Sequence, residues 1–426
     1  MAASARAPLS LGLDLGSSGM RIALADRAGN KLVERAGPYP QPFSDPHGWL
    51  EGLISLCSQL SSQLRSQVGA IAIDGTSGTL LLCRPNGELA AAPLHQALPY
   101  HQACPEQAAA ALAIAGCGPA ASASGSLARA LALLETASAC GQTGPWLVRH
   151  QADWLMGWLL GDWRWGEEGN NLRLGWDLQG RCWRGAIGDQ PWSGSLPAIR
   201  ASGDLLGSLQ PRAAQALGLP LSCQVVAGST DANAAVLATD AQERDGVAVL
   251  GTTLVLKQWS PRPIEGPGVS CHRLAGRWLV GGASNAGAGV LRRFFSDNQL
   301  RELSRQINPS HNSGLQLRPL PGRGERFPVD DPCLEPVLEP RPVSDVLYLQ
   351  GLLEGLARIE AAGWLRLQAL GAPAVERVIS VGGGAVNPQW RRIRSQLMGG
   401  LPVLNRPGLS AALGMARLAG TALARP

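Results

Sequence analysis

Twice in this chain an apolar strand runs into a short turn of glycine and hydroxyl residues and then resumes as a strand. The first copy is Leu11–Arg21, LGLDLGSSGMR, and the second is Val247–Trp259, VAVLGTTLVLKQW. A turn built from Gly16, Ser17, Ser18 and Gly19, or from Gly251, Thr252 and Thr253, leaves backbone N–H groups free of bulky side chains. Such groups can cradle phosphate oxygens, and a carboxylate at the strand end can hold a divalent cation through water. Asp14 stands where that carboxylate is needed. An ordinary hairpin with a solvated aspartate is the alternative that the stretch alone leaves open.

Two further stretches repeat the theme. Ala70–Cys83, AIAIDGTSGTLLLC, is a strand that meets Asp74, Gly75, Thr76, Ser77 and Gly78 and resumes as a strand. Val225–Ala238, VVAGSTDANAAVLA, is a strand and a Gly228–Ser229–Thr230 turn, with Asp231 at the start of an alanine-rich helix. An aspartate in a first helical turn is commonly dipole compensation, and an Asp–Gly turn is a common strand end, so each has a structural reading beside the functional one. Two strand–turn–strand units near the starts of two halves point to a duplicated α/β architecture.

Length and composition bound what that architecture can be. At 426 residues the chain exceeds a single core, and 45% hydrophobic with 16% charged residues describes a soluble globular protein. The formal charge is +5 with the basic residues scattered and not interleaved with aromatics, which excludes an evident nucleic-acid surface. Cysteines 57, 83, 104, 117, 140, 182, 223, 271 and 333 are odd in number and widely spaced, as buried thiols of a reducing compartment are. The N-terminus MAASARAPLS has no signal-peptide core, and no stretch is apolar for the ~20 residues a membrane span takes, so a cytoplasmic location is expected.

The remaining segments supply scaffold. Apolar spacing predicts helices over Trp49–Val68, Cys104–Ala115, Ser126–Leu134, from His150 to Leu160, and over Tyr348–Leu370. Trp163–Trp192 is an irregular, Trp- and Gly-rich stretch containing Asn170 and Asn171; it is packed loop or, alternatively, a wall for a polyol. Pro319–Pro342 is expected as a surface excursion. Arg377–Val381 is a buried-type strand that leads into Gly382, Gly383 and Gly384, and Asn387–Leu397, NPQWRRIRSQL, begins a helix with proline second. Backbone can approach a ligand closely there, although the run is not GxGxxG and predicts no dinucleotide fold.

In order, DLGSSGMR, AIDGTSGTLLL, GSTDANAAVLA, LGTTLVLK and SVGGGAVNPQWRRIRSQLMG resemble the motifs of the FGGY family of carbohydrate kinases over essentially the whole chain. HQADW and NNLRLGWD are similar to the short cyanobacterial and plant branch described as xylulose-kinase-like or D-ribulose kinases. The resemblance implies an α/β, two-domain actin-like (ribonuclease H-like) ATPase fold with an interdomain cleft. It places a sugar- and phosphate-side domain at 1–226 and a nucleotide-side domain at 227–426. It further implies that Asp14 orients magnesium, that Gly16, Ser17 and Ser18 line the phosphate end, and that Asp231 is the general base. Ser18, Gly19 and Ser77 would lie with Asp14 and Asp231 on the substrate side. Gly251, Thr252 and Thr253 would meet the terminal phosphates of ATP, while Gly382, Gly383, Gly384, Asn387 and Trp390 would flank the adenosine, with Trp390 stacking on the adenine.

One departure from the family bears on the sugar. Many members carry an aromatic–Asn–Asp triplet shortly after the second hairpin, and this chain has LPYHQAC with Tyr100, His101 and Gln102. The expected partners are ATP, Mg2+ and a ketopentose, D-ribulose at its 5-hydroxyl or its epimer D-xylulose, in a monomer or homodimer with no nucleic acid or membrane. The competing readings are a non-catalytic sugar- or nucleotide-binding protein and an actin-like structural or chaperone protein. Both Asp14 and Asp231 argue against the first, since a binder needs no base, and the polyol-type wall and the sugar-kinase motifs argue against the second.

Overall fold

The computed structural model describes residues 8–424, so most of the stretch on which the absence of a signal-peptide core was judged lies outside the described residues. The chain divides into two compact units. One comprises Met1–Ala238, Arg273–Gly276 and Ser410–Pro426; the other comprises Thr239–His272 and Arg277–Leu409. These bounds depart from a single boundary at 226/227. The helix that begins with Asp231 stays with the first unit, and the C-terminal helix Ala411–Leu423 returns to it.

The first unit is built on a mixed sheet. Its strands are β1 (Leu9–Gly16), β2 (Gly19–Ala25), β3 (Lys31–Gly37), β4 (Val68–Gly75), β5 (Leu205–Ser208) and β6 (Gln224–Thr230), in the order β5-β6-β4-β1-β2-β3. β1, β4 and β6 are parallel neighbours, and β1-β2-β3 form an antiparallel meander. Alternation sorts β4 between two faces, as the period of two requires. Ile71 and Ile73 pack with Leu11, Leu13, Trp49, Leu53 and Trp154, whereas Ala70 and Ala72 pack with Ala234, Met415 and Leu418. The large-residue face is covered by α1 (Pro46–Ser58), capped by the Asp45 side chain, and α2 (Gln151–Leu160). The small-residue face lets α3 (Asp231–Leu237) and the C-terminal helix sit close: a Cβ on Gly12 would lie 1.9 Å from the Ala412 carbonyl oxygen.

The second unit repeats the plan. β7 (Asp245–Leu250), β8 (Leu254–Ser260), β9 (Val269–Leu274), β10 (Arg277–Ala283), β11 (Arg377–Val381) and β12 (Val403–Asn405) lie in the order β9-β10-β8-β7-β11-β12. β7 is antiparallel to β8 and parallel to β11, which is parallel to β12. Three antiparallel strands followed by two parallel ones therefore occur twice, as β3-β2-β1-β4-β6 and as β10-β8-β7-β11-β12, the duplication that the repeated hairpins predicted.

Helix α4 (Asp345–Ala369), with the Ser344 side chain accepting from the Leu347 N–H, lays Leu349, Leu352, Leu353, Leu356 and Trp364 into this unit's core. Each such side chain contributes about 1.5–3 kcal/mol on burial. The long helix was legible in the sequence. The helix predicted over Trp49–Val68 is instead α1, a short helical turn at Ser62–Arg65 and the start of β4. Pro319–Pro342 is more than a surface excursion, because it carries Phe327 and Glu325 into the interior.

Candidate active site

Parallel pairing brings three aspartates to one edge of the first sheet. Asp14 is the register partner of Asp74 across β1 and β4, and Asp74 is the partner of Ser229 across β4 and β6, two residues before Asp231. Ligands of open α/β sheets bind beyond the carboxyl ends of their strands, where these three stand. A bulge in β6 between Val226 and Ser229 sets the last pairing. It requires glycine, since a Cβ on Gly228 would lie 1.7 Å from the Ile73 carbonyl oxygen. Bulges of this kind re-aim side chains beside sites.

The three carboxylates differ in setting. Asp14 and Asp231 are half-buried, whereas Asp74 has no exposed surface. Burial pushes the Asp14 carboxyl up, while its hydrogen bond with Asp74 and the Arg21 guanidinium oppose that. Burial pushes Asp74 well above the usual carboxylate range, and the charges of Asp14 and Asp231 add to it. No protein N–H or hydroxyl reaches either oxygen of Asp74. Asp231 Oδ1 accepts from the Ala232 N–H at 2.7 Å, and Ser229 beside it receives the Asn233 amide at 3.4 Å and, through its carbonyl, Asn170 at 3.3 Å.

The first hairpin closes through Ser17 and Ser18, both exposed, between the paired Gly16 and Gly19. Tyr39 donates its hydroxyl to the Gly16 carbonyl at 2.8 Å. The second turn is anchored from α2: Gln151 Oε1 accepts from the Thr76 N–H at 3.3 Å and from its hydroxyl at 2.9 Å, and Gln151 Nε2 reaches the Tyr39 hydroxyl at 3.5 Å. Gln151 thus ties the Thr76 turn to the tyrosine that holds the Gly16 turn. Ser77 is half-buried at the tip of that second turn. Neither Tyr39 nor Gln151 was singled out in the sequence, and only the QAD at the head of a helix hinted at the latter.

Near Tyr100–Gln102, where the family's triplet is absent, the backbone is held by a buried arginine. Arg129 donates to the carbonyls of Gln102 at 2.8 Å, Gly78 at 3.2 Å and Tyr100, and the Tyr100 N–H donates to Thr79 Oγ1 at 3.1 Å. Burial lowers its guanidinium to about 10.

In the second unit, β7 and β11 run parallel, so Gly251–Thr253 and Gly382–Gly384 extend from the same sheet edge. Gly382 has φ +86°, and a Cβ there would lie 2.9 Å from the Leu250 carbonyl oxygen, so the residue needs both the left-handed backbone and the missing side chain. Gly383 is exposed with open space around it. The Thr252–Thr253 turn is gripped from Ser284–Gly289: Ala288 N–H donates to the Gly251 carbonyl at 3.0 Å and Gly289 N–H to that of Thr252 at 3.1 Å. Glu325 of the Pro-rich stretch holds that grip, accepting from Ser284 Oγ at 2.5 Å and from the Asn285 N–H at 2.7 Å.

Two of the residues expected around adenosine serve the scaffold. Trp390 is 3% exposed in the core, and a Cβ on Gly384 would lie 2.5 Å from its ring, so it backs the glycine run and offers no open face for stacking. Asn387 caps α5 (Pro388–Leu397), its Oδ1 accepting from Gln389 and Trp390 N–H at 3.0 Å each. Its amide donates to Ser304 Oγ at 2.9 Å. The buried Arg394 fixes the same helix by pairing with Glu360 and donating to Ser380 Oγ at 2.7 Å.

Among the described residues no cluster of three or more His, Cys, Asp or Glu is arranged to hold a metal. Mg2+ keeps several waters and takes one or two carboxylates beside substrate phosphates. Asp14, half-buried at the strand end, is a hard ligand of that kind. No helix among the described residues is long and apolar enough to cross a membrane.

Known proteins share this plan. A xylulose kinase from Rhodospirillum rubrum superposes with a TM-score of 0.80 at 20% identity over 97% of this chain and 90% of its own. A gluconate kinase from Lactobacillus acidophilus does so at 0.80 and 15% over 98% and 89%. A glycerol kinase with ADP from Plasmodium falciparum does so at 0.78 and 14% over 98% and 90%. The fold is thus the two-domain actin-like ATPase fold that the family resemblance implied. Residues 246–423 match the C-terminal domain of the FGGY family of carbohydrate kinases.

Proposed function

We propose that the protein transfers the γ-phosphoryl group of ATP to a ketopentose, D-ribulose at its 5-hydroxyl. The observation that carries the phosphotransfer is the convergence of Asp14, Asp74 and Asp231 on one sheet edge beside the Gly16–Gly19 turn. A sugar hydroxyl is a poor nucleophile, and Asp231 accepts its proton as the phosphoryl group moves. Bound Mg2+ would spread the charge on the phosphates, held through Asp14. The backbone of Gly16, Ser17 and Ser18 lines the phosphate end, while Ser18, Gly19 and Ser77 orient the acceptor. Gly251–Thr253 hold the terminal phosphates, and Gly382–Gly384 let the backbone approach the adenosine.

The choice of D-ribulose rests on the sequence similarity to the short branch. D-xylulose is the second reading, favoured by the xylulose kinase among the structures that share this fold. The two sugars differ at one carbinol centre, which a few placed hydrogen bonds discriminate. ADP formation measured across pentuloses, pentitols, hexuloses and glycerol tests the assignment. The highest kcat/KM with D-ribulose is expected; a clear preference for D-xylulose replaces the sugar, and no ADP with any of them ends the kinase reading.

A further inference from the structure

The proposed phosphotransfer leaves two buried carboxylates of the first unit without a role, Asp153 and Glu167, each 1% exposed. Asp153 belongs to the first turn of α2, the helix whose first residue, Gln151, holds the Thr76 turn. Its Oδ1 accepts from the Glu167 N–H at 3.0 Å and its Oδ2 from the Asn171 amide at 3.0 Å, with His150 Nδ1 3.5 Å from the latter oxygen. Glu167 in turn caps the single helical turn Glu168–Asn171, accepting from the N–H groups of Gly169 and Asn170 at 2.8 Å each. The Asn171 amide also donates to the Glu167 carbonyl at 2.9 Å. From that turn the Asn170 amide reaches the Ser229 carbonyl at 3.3 Å, two residues before Asp231.

Asn170 and Asn171 are 1% and 0% exposed, so they have no surface to offer a polyol, and nothing in this chain of bonds touches a substrate. Taking carboxylates out of water is costly, and well-packed apolar side chains would hold one helical turn at least as firmly. What the polar chain supplies is direction. All four carboxylate oxygens accept a hydrogen bond, and such bonds weaken steeply outside a narrow geometry. The chain ends on the bulge of β6, which re-aims the backbone just before Asp231.

We propose that Asp153, Glu167 and Asn170 are positioning residues that fix the orientation of Asp231 from the start of α2. The role rests on Asp231 being the general base. Because Gln151 at the same helix end holds the Thr76 turn beside Ser77, one rigid element sets both the acceptor turn and the base. The sugar hydroxyl and the carboxylate that takes its proton thereby keep their separation, and a displacement of ~1 Å that starts away from the reacting atoms can cost about 10²-fold in rate.

Steady-state ADP formation by the full chain, with D-ribulose or whichever sugar of the panel it prefers, tests the role in a cycle of Asn170→Ala, Asp231→Asn and the double variant. Asn170→Ala should lower kcat about tenfold and leave KM for ATP and for the sugar within about twofold, because no substrate contact is lost. In the Asp231→Asn background the same substitution should change kcat by less than about twofold, since no base is left to misplace. Asp153→Asn, which keeps the shape but brings an amide against the donors of Glu167 and Asn171, should act as Asn170→Ala does. Circular dichroism of each variant separates a lost contact from a lost fold. An undiminished loss in the double variant assigns Asn170 to the fold alone and overturns the proposal. Wild-type kcat in both Asn170→Ala and Asp153→Asn, with Asp231→Asn impaired, overturns the positioning role and leaves the base standing. Full activity of Asp231→Asn, or no ADP with any sugar, ends the reading of Asp231 as the base and this role with it.

Discussion

Asp14 and Asp74 face each other across two parallel strands, and their carboxyl groups hydrogen-bond one another. Two carboxyls in contact cannot both ionise cheaply, so the pair shares a proton. Asp74, without exposed surface and without any other protein donor, is the member that keeps it.

The pair makes stability depend on pH. A carboxyl whose pKa is raised in the folded state contributes stability that is present below its unfolded pKa and is lost as the pH rises towards the folded value. Asp74→Asn keeps the shape of the protonated form and removes that dependence. Thermal unfolding without ligands should therefore show the variant gaining on wild type as the pH rises from the ordinary carboxylate range to neutrality. A difference independent of pH would show that Asp74 does not retain its proton.

Metal dependence separates Asp14 from the fold. Turnover should require Mg2+ and vanish with a chelator, and Asp14→Ala should abolish transfer while the unfolding midpoint stays close to wild type. The side chain is half-buried and burial raises its pKa, so its removal relieves a desolvation cost and opens no large cavity. Wild-type-like activity in the variant would remove Asp14 from the metal role.

The glycine run allows a test in which neighbouring positions give opposite results. Gly383 has open space, so Gly383→Val should leave stability unchanged and raise KM for ATP far more than KM for the sugar. At Gly384 a Cβ would meet Trp390 at 2.5 Å and Leu250 Cβ at 2.8 Å, so Gly384→Ala should cost about 1–3 kcal/mol in chemical unfolding. Equal effects of the two substitutions on stability would contradict the packing described.

Trp390 marks where a local reading of the sequence stops. In NPQWRRIRSQL, Trp390, Ile393 and Arg394 fall at helical spacing on one face and are the residues α5 buries, so the signal for a core position was present. Trp390→Ala should accordingly destabilise the protein by about 3–5 kcal/mol, read by denaturant titration, with any effect on KM for ATP following from the displaced glycine run.

The hairpins, the long helix and the duplicated sheet were legible because strand period, turn residues and helical spacing are local. What escaped is long-range. Gln151 reaches Thr76 and Tyr39 across 75 and 112 residues, and Asp74 gains its meaning only from parallel register with Asp14 and Ser229. The single boundary at 226/227 missed the return of the C-terminal helix, because nothing in its own sequence says which sheet its small face will cover. Glu325 likewise reads as a charge in a Pro-rich loop until Ser284 and Asn285 are seen to donate to it.

Asp231 decides whether the aspartate edge is catalytic. Its backbone belongs to the first turn of α3, and its Oδ1 already accepts from the Ala232 N–H, which orients the carboxylate without using its second oxygen in that bond. Asp231→Asn preserves the shape and the capacity to accept from Ala232 but removes the proton acceptor. Losing a positioned general base costs about 10²–10⁴ in rate, roughly 3–5 kcal/mol of barrier, whereas one lost surface contact costs far less. The variant should bind sugar and ATP nearly as wild type by calorimetry, unfold at a similar midpoint, and show kcat lower by that factor. If kcat stays within about threefold of wild type, well inside the range a base accounts for, Asp231 holds the edge of the sheet together and proton transfer lies elsewhere.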